Sequence, residues 1–442
     1  MTPERKRIAR LGGAVIAWSV FLFLASGPWL LRAQSPSDSV AAQPSEPDTV
    51  SAPHPNTVPY ASDRSVAYHV LATPAYVLHG VTRPVGWTVL YLERNYPDLF
   101  EFRLGRRGVL PLFELGGPVG ATVGAMLYDN RLFGSRQQVR LEGMIGARDF
   151  FEVRAHYKLP RPLGNGTQLR LVGNFFSEPK DRFFVGGMDS DRHADVARFA
   201  REQIDVMGRL SVRPQDAIFG GVLELLYEHV EARPTEGTQP LLGRPGLTTT
   251  NLVTPRLGVM LDGTNGRPRT HTGTALTLQL GYTHDLSGDR FRYGRYVAAL
   301  HQYLPVFIFP KTRRLALRAR LEQVHPILGG AAVPFYQLPQ LGGPRRLRGY
   351  LSDRFRDDGS MLFTAEYRYP VWSRLDAVFF VDTGQVFAAF DEVAVSDFKT
   401  TFGGGFHLLS DSGLSARFEV ARSVEGTEVI LTVQPSFEPL RR

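Results

Sequence analysis

The sequence predicts an all-β fold, a transmembrane antiparallel β-barrel of about 16 strands. Three observations lead to this prediction. The chain of 442 residues opens with an export signal. From about residue 117 onward it alternates apolar and polar residues in long segments. No later stretch stays uncharged and apolar for the roughly 18 residues that mark a membrane-spanning helix.

The export signal lies in residues 1–33. Four basic residues precede an uncharged apolar stretch from Leu11 to Leu31, and Leu31-Arg32-Ala33 then resembles the small-residue end of a cleavage site. This layout is typical of a secretory signal peptide. An uncleaved single-span anchor is the alternative, because about 20 apolar residues can cross a bilayer. In either case the rest of the chain is exported.

Composition excludes several classes of protein. The chain has no cysteine, which excludes a disulfide scaffold, a Cys-ligated metal and an acylated lipoprotein anchor. Its 51 Lys and Arg exceed its 43 Asp and Glu, but the net charge of +8 is spread along the chain. We therefore expect no nucleic-acid partner. Motifs for zinc proteases, serine hydrolases and nucleotide binding are missing, so we expect neither an enzyme nor a cofactor.

The region between the signal and the barrel divides in two. Residues 34–75 are rich in Pro and Ser and lack apolar periodicity, which predicts a flexible periplasmic tether. Residues 76–116 contain Trp and Tyr among apolar residues and are interpreted as an amphipathic lead-in to the barrel. Either a short interfacial helix or the approach to the first strand fits that composition. Residues 117–442 then form the predicted barrel domain.

The barrel segments alternate with a period of two, which places successive side chains on opposite faces of a strand. In 414–420, for example, four apolar residues share one face, and Ser415, Arg417 and Glu419 share the other. We predict fifteen such strands, from 118–128 to 427–437, with a weaker candidate at 181–187. They are about twice the usual strand length of five or six residues, as tilted membrane-spanning strands must be.

A soluble sandwich and a membrane barrel both produce alternation. Only the barrel accounts for so many long strands with charged residues on one face, because a wet lumen tolerates charge. Unpaired backbone groups are too costly in hydrocarbon, so the sheet must close on itself. A soluble exported all-β protein remains the minor alternative.

The long turn-rich segment 334–350, PFYQLPQLGGPRRLRGY, ends in Arg-Gly-Tyr. It is followed by 365–370, AEYRYP, and by 380–384, FVDTG. This trio resembles the BamA/TamA-type superfamily of outer-membrane barrels, the bacterial surface antigen domain. In that family an Arg-Gly-aromatic tip lies on a long loop that folds back into the barrel, and the next strands carry an acidic residue and a Phe-x-Asp-x-Gly signature.

The resemblance implies an inward loop near 326–357 and a loop-anchoring site made of Arg348, Gly349, Tyr350, Glu366, Asp382 and Gly384. An Arg facing two carboxylates can form bidentate, charge-assisted hydrogen bonds. An ordinary turn with a solvated Arg is the alternative for this loop. Barrels of the family end on an aromatic residue, and Phe437 is the candidate closure signal here. Family members usually carry periplasmic POTRA modules before the barrel, and we recognise none in this sequence.

The resemblance also implies a function and a location. We expect a monomeric barrel in the outer membrane of a Gram-negative bacterium that assists insertion or translocation of polypeptide or lipid. Its expected partners are outer-membrane lipid and, through residues 34–98, unfolded outer-membrane proteins or periplasmic proteins. A seam between the first and last strands, about 118–128 and 427–437, is the expected route. The alternative is a passive pore or structural surface protein that keeps the barrel without assembly activity.

Overall fold

The computed structural model describes residues 102–104, 107–133, 135–191, 193, 195–214, 217–265, 272–288, 290–306, 313–327, 332–371, 375–409 and 414–435. The predicted signal peptide and tether, most of the lead-in and Phe437 lie outside these ranges. No helix in the described part of the chain has the length and hydrophobicity of a bilayer crossing.

Sixteen strands form one closed antiparallel sheet. They are β1 Arg107–Gly117, β2 Gly120–Leu132, β3 Gln137–Gly146, β4 Phe150–Pro160, β5 Thr167–Phe184, β6 Val196–Val212, β7 Phe219–Pro234, β8 Thr249–Asp262, β9 Gly273–Asp285, β10 Arg292–Pro305, β11 Arg314–Pro326, β12 Gly359–Pro370, β13 Leu375–Phe387, β14 Lys399–Leu409, β15 Leu414–Ser423 and β16 Gly426–Pro435. Each strand pairs with the next, and β16 pairs with β1. The predicted 16-stranded barrel is confirmed.

The remaining elements are short. Three more strands lie at Phe102–Leu104, Gln340–Leu341 and Phe355–Arg356. Single-turn 3-10 helices occur at Ala147–Asp149, Gly187–Asp189, Gln239–Leu241, Phe335–Gln337, Phe390–Glu392 and Val395–Asp397.

The two faces of the wall differ as a membrane barrel requires. Leu223 and Leu225 of β7 are 57% and 56% exposed, whereas Glu224 between them is 1% exposed. Glu224 is held by Arg209 of β6 at 2.5 Å and by Arg256 of β8 at 2.8 Å. A soluble protein would bury the leucines and expose the carboxylate. The apolar face is therefore the outer one, turned toward lipid, and the charged face lines the interior.

The first strand was placed wrongly by sequence periodicity. The strand predicted at 118–128 is the second strand of the barrel, and β1 occupies Arg107–Gly117. Alternation fails in β1 because its inner residues Leu110 and Leu112 are apolar and buried, and Pro111 lies between them. The weak candidate at 181–187 is not a separate strand, since β5 runs on to Phe184 through a register shift. The closing seam accordingly joins β1 to β16.

Connections at one end of the barrel are longer than those at the other. Because consecutive strands are antiparallel, alternate connections share an end. Segments 185–195, 235–248, 327–358 and 388–398 belong to the same end. Outer-membrane barrels have short periplasmic turns and longer extracellular loops. We call this the long-loop end, and on this general pattern we expect it to face the cell exterior.

Candidate functional site: the Arg348 cluster and the barrel seam

The segment 332–358 belongs to the connection between β11 and β12 and carries Arg348. Its backbone turns tightly, with φ values of 109°, 92° and 92° at Gly342, Gly343 and Gly349. A Cβ on Gly349 would also lie 3.2 Å from the carbonyl carbon of Arg422 in β15. Glycine is therefore required at 349 both by its dihedral angle and by close approach to the wall.

Arg348 binds Asp382 of β13 through three hydrogen bonds. Its Nε and Nη2 donate to the two carboxylate oxygens at 2.8 and 2.9 Å, and its backbone N–H donates to Oδ2 at 3.1 Å. The guanidinium carbon lies 3.4 Å from the centre of the Phe380 ring, in cation–π geometry. The side chain is thus fixed by a carboxylate and an aromatic face of one strand.

Two further carboxylates complete the Arg348 cluster, which we define as Arg348, Glu366, Asp382 and Glu419. Nη1 of Arg348 donates to Glu366 of β12 and to Glu419 of β15, at 3.0 Å each. Strand register explains the convergence, because Asp382 pairs with Thr364, two residues from Glu366, on the same inner face. All four side chains are buried, with Asp382 and Glu419 at 0% exposure.

Other basic side chains lie next to the carboxylates of the cluster. Nε of Arg368 donates to Glu366 at 2.5 Å, and His407 of β14 hydrogen-bonds Glu419 at 2.8 Å. Arg417 lies 3.7 Å from Glu419. Burial by itself lowers the pKa of Arg348, but the hydrogen bonds to Asp382 and the charges of all three carboxylates raise it above the ordinary arginine value. Arg348 therefore stays charged at every physiological pH.

The other predicted site residues flank the cluster. Tyr350 is buried and packs edge-on against Phe355, with ring centres 5.0 Å apart. Burial, followed by the charge of Glu425, raises the pKa of Tyr350 to about 12. A Cβ on Gly384 would lie 2.7 Å from the carbonyl oxygen of Met361 in β12 and 3.0 Å from Cδ1 of Leu341, so glycine at 384 allows both the neighbouring strand and the loop to approach β13. Phe437, the candidate closure signal, lies outside the described residues.

Sequence reasoning missed a second anchor at Arg354. This residue is 1% exposed, and its Nε donates to both oxygens of Glu425, at 2.9 and 3.0 Å. Its Nη1 and Nη2 donate to the hydroxyl and carbonyl oxygens of Ser190, both at 2.5 Å. Arg354 therefore connects segment 332–358 to the turn between β15 and β16 and to the connection after β5. Nothing in local spacing marks it out.

Segment 332–358 also contacts strands that lie on opposite sides of the barrel. Gln337 donates to Glu228 of β7 at 2.9 Å, and the Tyr336 hydroxyl lies 2.7 Å from that of Thr250 in β8. Arg417 of β15 donates to the Pro344 carbonyl at 2.8 Å. These partners lie on the enclosed, polar face.

The ladder between β16 and β1 is much shorter than its neighbours. It consists of the pairs Leu431–Leu115, Thr432–Glu114 and Val433–Phe113, whereas β15 and β16 pair along their whole length from Leu414–Pro435 to Ser423–Gly426. The β1 side of this ladder is bounded by a register shift after Leu115 and by Pro111, which has no N–H to donate. We call this short ladder the seam.

Comparison with known proteins identifies the family. A profile of the Omp85 superfamily domain matches residues 131–425, more than half of the chain. The chain belongs to the Omp85 superfamily. The predicted resemblance to BamA-type barrels is thereby confirmed, and membership implies the outer membrane of a Gram-negative bacterium. No POTRA-like module occurs among the residues that the structure describes. No curated protein matches this Omp85 sequence.

Solved structures resemble this Omp85 barrel at low sequence identity. BamA from Haemophilus ducreyi lacking POTRA domains 1–3 superposes with a TM-score of 0.54 and 16% identity, over 75% of this chain and 70% of that one. CdiB from Acinetobacter baumannii gives 0.51 and 12%, over 75% and 60%, and CdiB from Escherichia coli gives 0.53 and 13%, over 75% and 63%. The chain thus spans less than two thirds of either CdiB. At these identities the likeness concerns the fold alone.

Proposed function

We propose that this Omp85 barrel assists the insertion or translocation of polypeptide or lipid at the outer membrane, with the seam as its route. The observation that carries the proposal is the three-pair ladder between β16 and β1. Separating two strands costs the backbone hydrogen bonds between them, each of which is expensive to leave unmade in hydrocarbon. Among the described strand pairs of the wall, the seam has the fewest backbone hydrogen bonds to break, so it opens first.

Strand length supports the same route. The strands beside the seam are short: β15 and β16 have ten residues each and β1 has eleven. On the far side β5, β6 and β7 have 18, 17 and 16. A tilted strand needs about 9–11 residues to cross a bilayer. The wall beside the seam therefore meets only the minimum, which favours a thinned bilayer there.

The Arg348 cluster supports a role for the loop. We propose that segment 332–358 crosses the lumen, because it contacts the polar faces of β7 and β8 on one side and of β13 and β15 on the other. In this arrangement Arg348, Gly349, Tyr350, Glu366, Asp382 and Gly384 hold the loop against the wall beside the seam. In this proposal the cluster holds a loop and makes or breaks no covalent bond, and the protein is not an enzyme.

A disulfide across the seam tests the function. The chain has no cysteine, so Phe113→Cys/Val433→Cys introduces a single bridge between paired residues of β1 and β16. The matched control, Val420→Cys/Val429→Cys, bridges paired residues of β15 and β16. Each variant is reconstituted into phosphatidylethanolamine–phosphatidylglycerol vesicles, and the folding of an added, urea-unfolded eight-stranded outer-membrane barrel is followed by heat-modifiable gel migration.

The proposal predicts that oxidation stops assisted folding for the seam variant alone, and that reduction restores it. Unchanged folding with a complete seam disulfide contradicts the route. A wild-type chain that conducts a large steady ion current and never accelerates folding contradicts the function and favours the passive pore.

Residues 34–98 are proposed to contact unfolded outer-membrane proteins or periplasmic partners. A photo-crosslinking amino acid placed within this range, in living cells, identifies what it contacts. Recovery of a periplasmic chaperone or an unfolded barrel protein supports this part of the proposal, and crosslinks to lipid alone contradict it.

A further inference from the structure

A short strand lies against the seam edge of β1. Phe102–Leu104 pairs antiparallel with β1, in the register Phe102–Val109, Arg103–Gly108 and Leu104–Arg107. Val109 is also paired with Leu127 of β2. Because a strand has only two edges, Phe102–Leu104 must occupy the other edge of β1, the one that faces β16 in the seam.

The register of the seam explains why that edge is available. Extending the pairs Leu431–Leu115 and Val433–Phe113 by two residues places Pro435 opposite Pro111. Neither proline has an N–H, so the ladder cannot continue by mutual hydrogen bonds at this level. Without a further partner, residues Arg107–Val109, which precede Pro111 in β1, would present free backbone groups on this edge. An unpaired strand edge is a template for any extended polypeptide.

We propose that residues 102–104 are an intramolecular cap on the seam, which must leave the edge of β1 before another polypeptide strand can add to it. This inference rests on the proposed function, since it concerns access to the same seam. The cap is suited to reversible release. Only two residues separate the cap from β1, so its effective concentration at the edge is high and it can re-pair readily. A pairing of three residues is weak, and a lone hairpin is only marginally stable, so the cap can also leave the edge.

The cap can be tested with Phe102→Cys/Val109→Cys in the full chain. Cα atoms of paired antiparallel residues are about 4.5–5.5 Å apart, within the range for a disulfide. The control, Phe102→Cys/Val123→Cys, keeps the first cysteine but places the second on the outer face of β2 in a pair with Phe113 of β1. We expect the disulfide in the first variant and none in the control. If the first variant forms no disulfide, or both do, the cap is wrong whatever the protein does to other chains.

The second readout is assisted folding of the same eight-stranded barrel in vesicles. We expect oxidised Phe102→Cys/Val109→Cys to be roughly tenfold slower than its reduced form, because the competent fraction falls, and the control to be insensitive to oxidant. Conversely, Phe102→Pro/Leu104→Pro, which weakens the cap by removing N–H donors, should be faster than wild type. A complete disulfide with unchanged rate, or slower folding with the proline variant, overturns the cap.

These outcomes separate the cap from the proposed function. If neither wild type nor any reduced variant accelerates folding, the proposed function fails, while the disulfide pattern still reports whether the cap exists. If wild type is active and the cap variants match it in both redox states, the inhibitory role fails and the proposed function stands.

Discussion

Arg348 and Asp382 are joined by three hydrogen bonds, two from the guanidinium and one from the Arg348 backbone N–H. One carboxylate therefore fixes both the loop backbone and the direction of the side chain. Asp382 is fully buried and Arg348 is 3% exposed. Removing either partner leaves a buried charge without its main counter-charge, which is the costly way to break an ion pair.

Arg348→Ala should lower the free energy of unfolding by about 3–5 kcal/mol, the usual cost of removing one partner of a buried pair. Asp382→Asn should have a similar effect. Urea unfolding of the reconstituted barrel, followed by tryptophan fluorescence and heat-modifiable migration, measures both. The exposed Arg136→Ala, in the turn between β2 and β3, is the control. Equal stability of Arg348→Ala and Arg136→Ala would show that the pair does not hold the loop.

Gly349→Ala should destabilise the barrel more than Gly164→Ala. Both glycines have positive φ, 92° and 102°, and each substitution carries a dihedral cost of about 1–3 kcal/mol. Only the Cβ at 349 would also press on the backbone of β15, since that at 164 meets nothing within 4 Å. The same urea titration compares the two variants. Indistinguishable losses would mean that the loop does not approach the wall closely at 349.

Glu419 should be coupled to Arg348 although they are 71 residues apart in sequence. A double-mutant cycle of Arg348→Ala and Glu419→Gln should give an interaction free energy of about 0.5–3 kcal/mol, as expected for residues in one hydrogen-bonded network. In the control cycle, Thr427→Ala at an exposed position of β16 replaces Glu419→Gln, and its effect should add to that of Arg348→Ala. Additive effects of Arg348→Ala and Glu419→Gln would place Glu419 outside the cluster.

Arg354→Ala should make the loop accessible from the cell exterior. The substitution removes the contacts by which Arg354 holds segment 332–358 to Glu425 and Ser190 at the long-loop end of the barrel. Added chymotrypsin should then cut whole cells after Tyr350 or Phe355 several-fold faster than in wild type, because cleavage tracks the population of the open form. Arg136→Ala again serves as the control. Identical digestion of Arg354→Ala and wild type would contradict this second anchor.

Sequence periodicity was sufficient for most of the wall because the two faces of a lipid-embedded strand differ so strongly. It failed at β1, where Leu110 and Leu112 make the inner face apolar as well. The conflict has a physical origin, since both residues pack with Met126 of β2 rather than facing water. A period of two cannot be read from a strand that is apolar on both sides.

Some of the residues that anchor the loop could likewise be predicted from the sequence, and others could not. Arg348, Glu366 and Asp382 were predicted through a motif, and the structure brings the guanidinium of Arg348 within 3.0 Å of a carboxylate oxygen of each of the other two. Glu419 was visible only as one of several charges on an inner face, because its partnership depends on how β13, β14 and β15 are registered. Arg354 depends on loops that are distant in sequence, and no local pattern records such contacts.

Hydrogen–deuterium exchange of the barrel in lipid nanodiscs tests the central claim, that the wall opens at the seam. We predict that amides of Phe113–Leu115 and Leu431–Val433 exchange faster than those of the β13–β14 ladder, because three pairs close the seam and local opening there costs least. Protection at the seam equal to that of β13 and β14 would show a uniformly closed cylinder and would contradict the account.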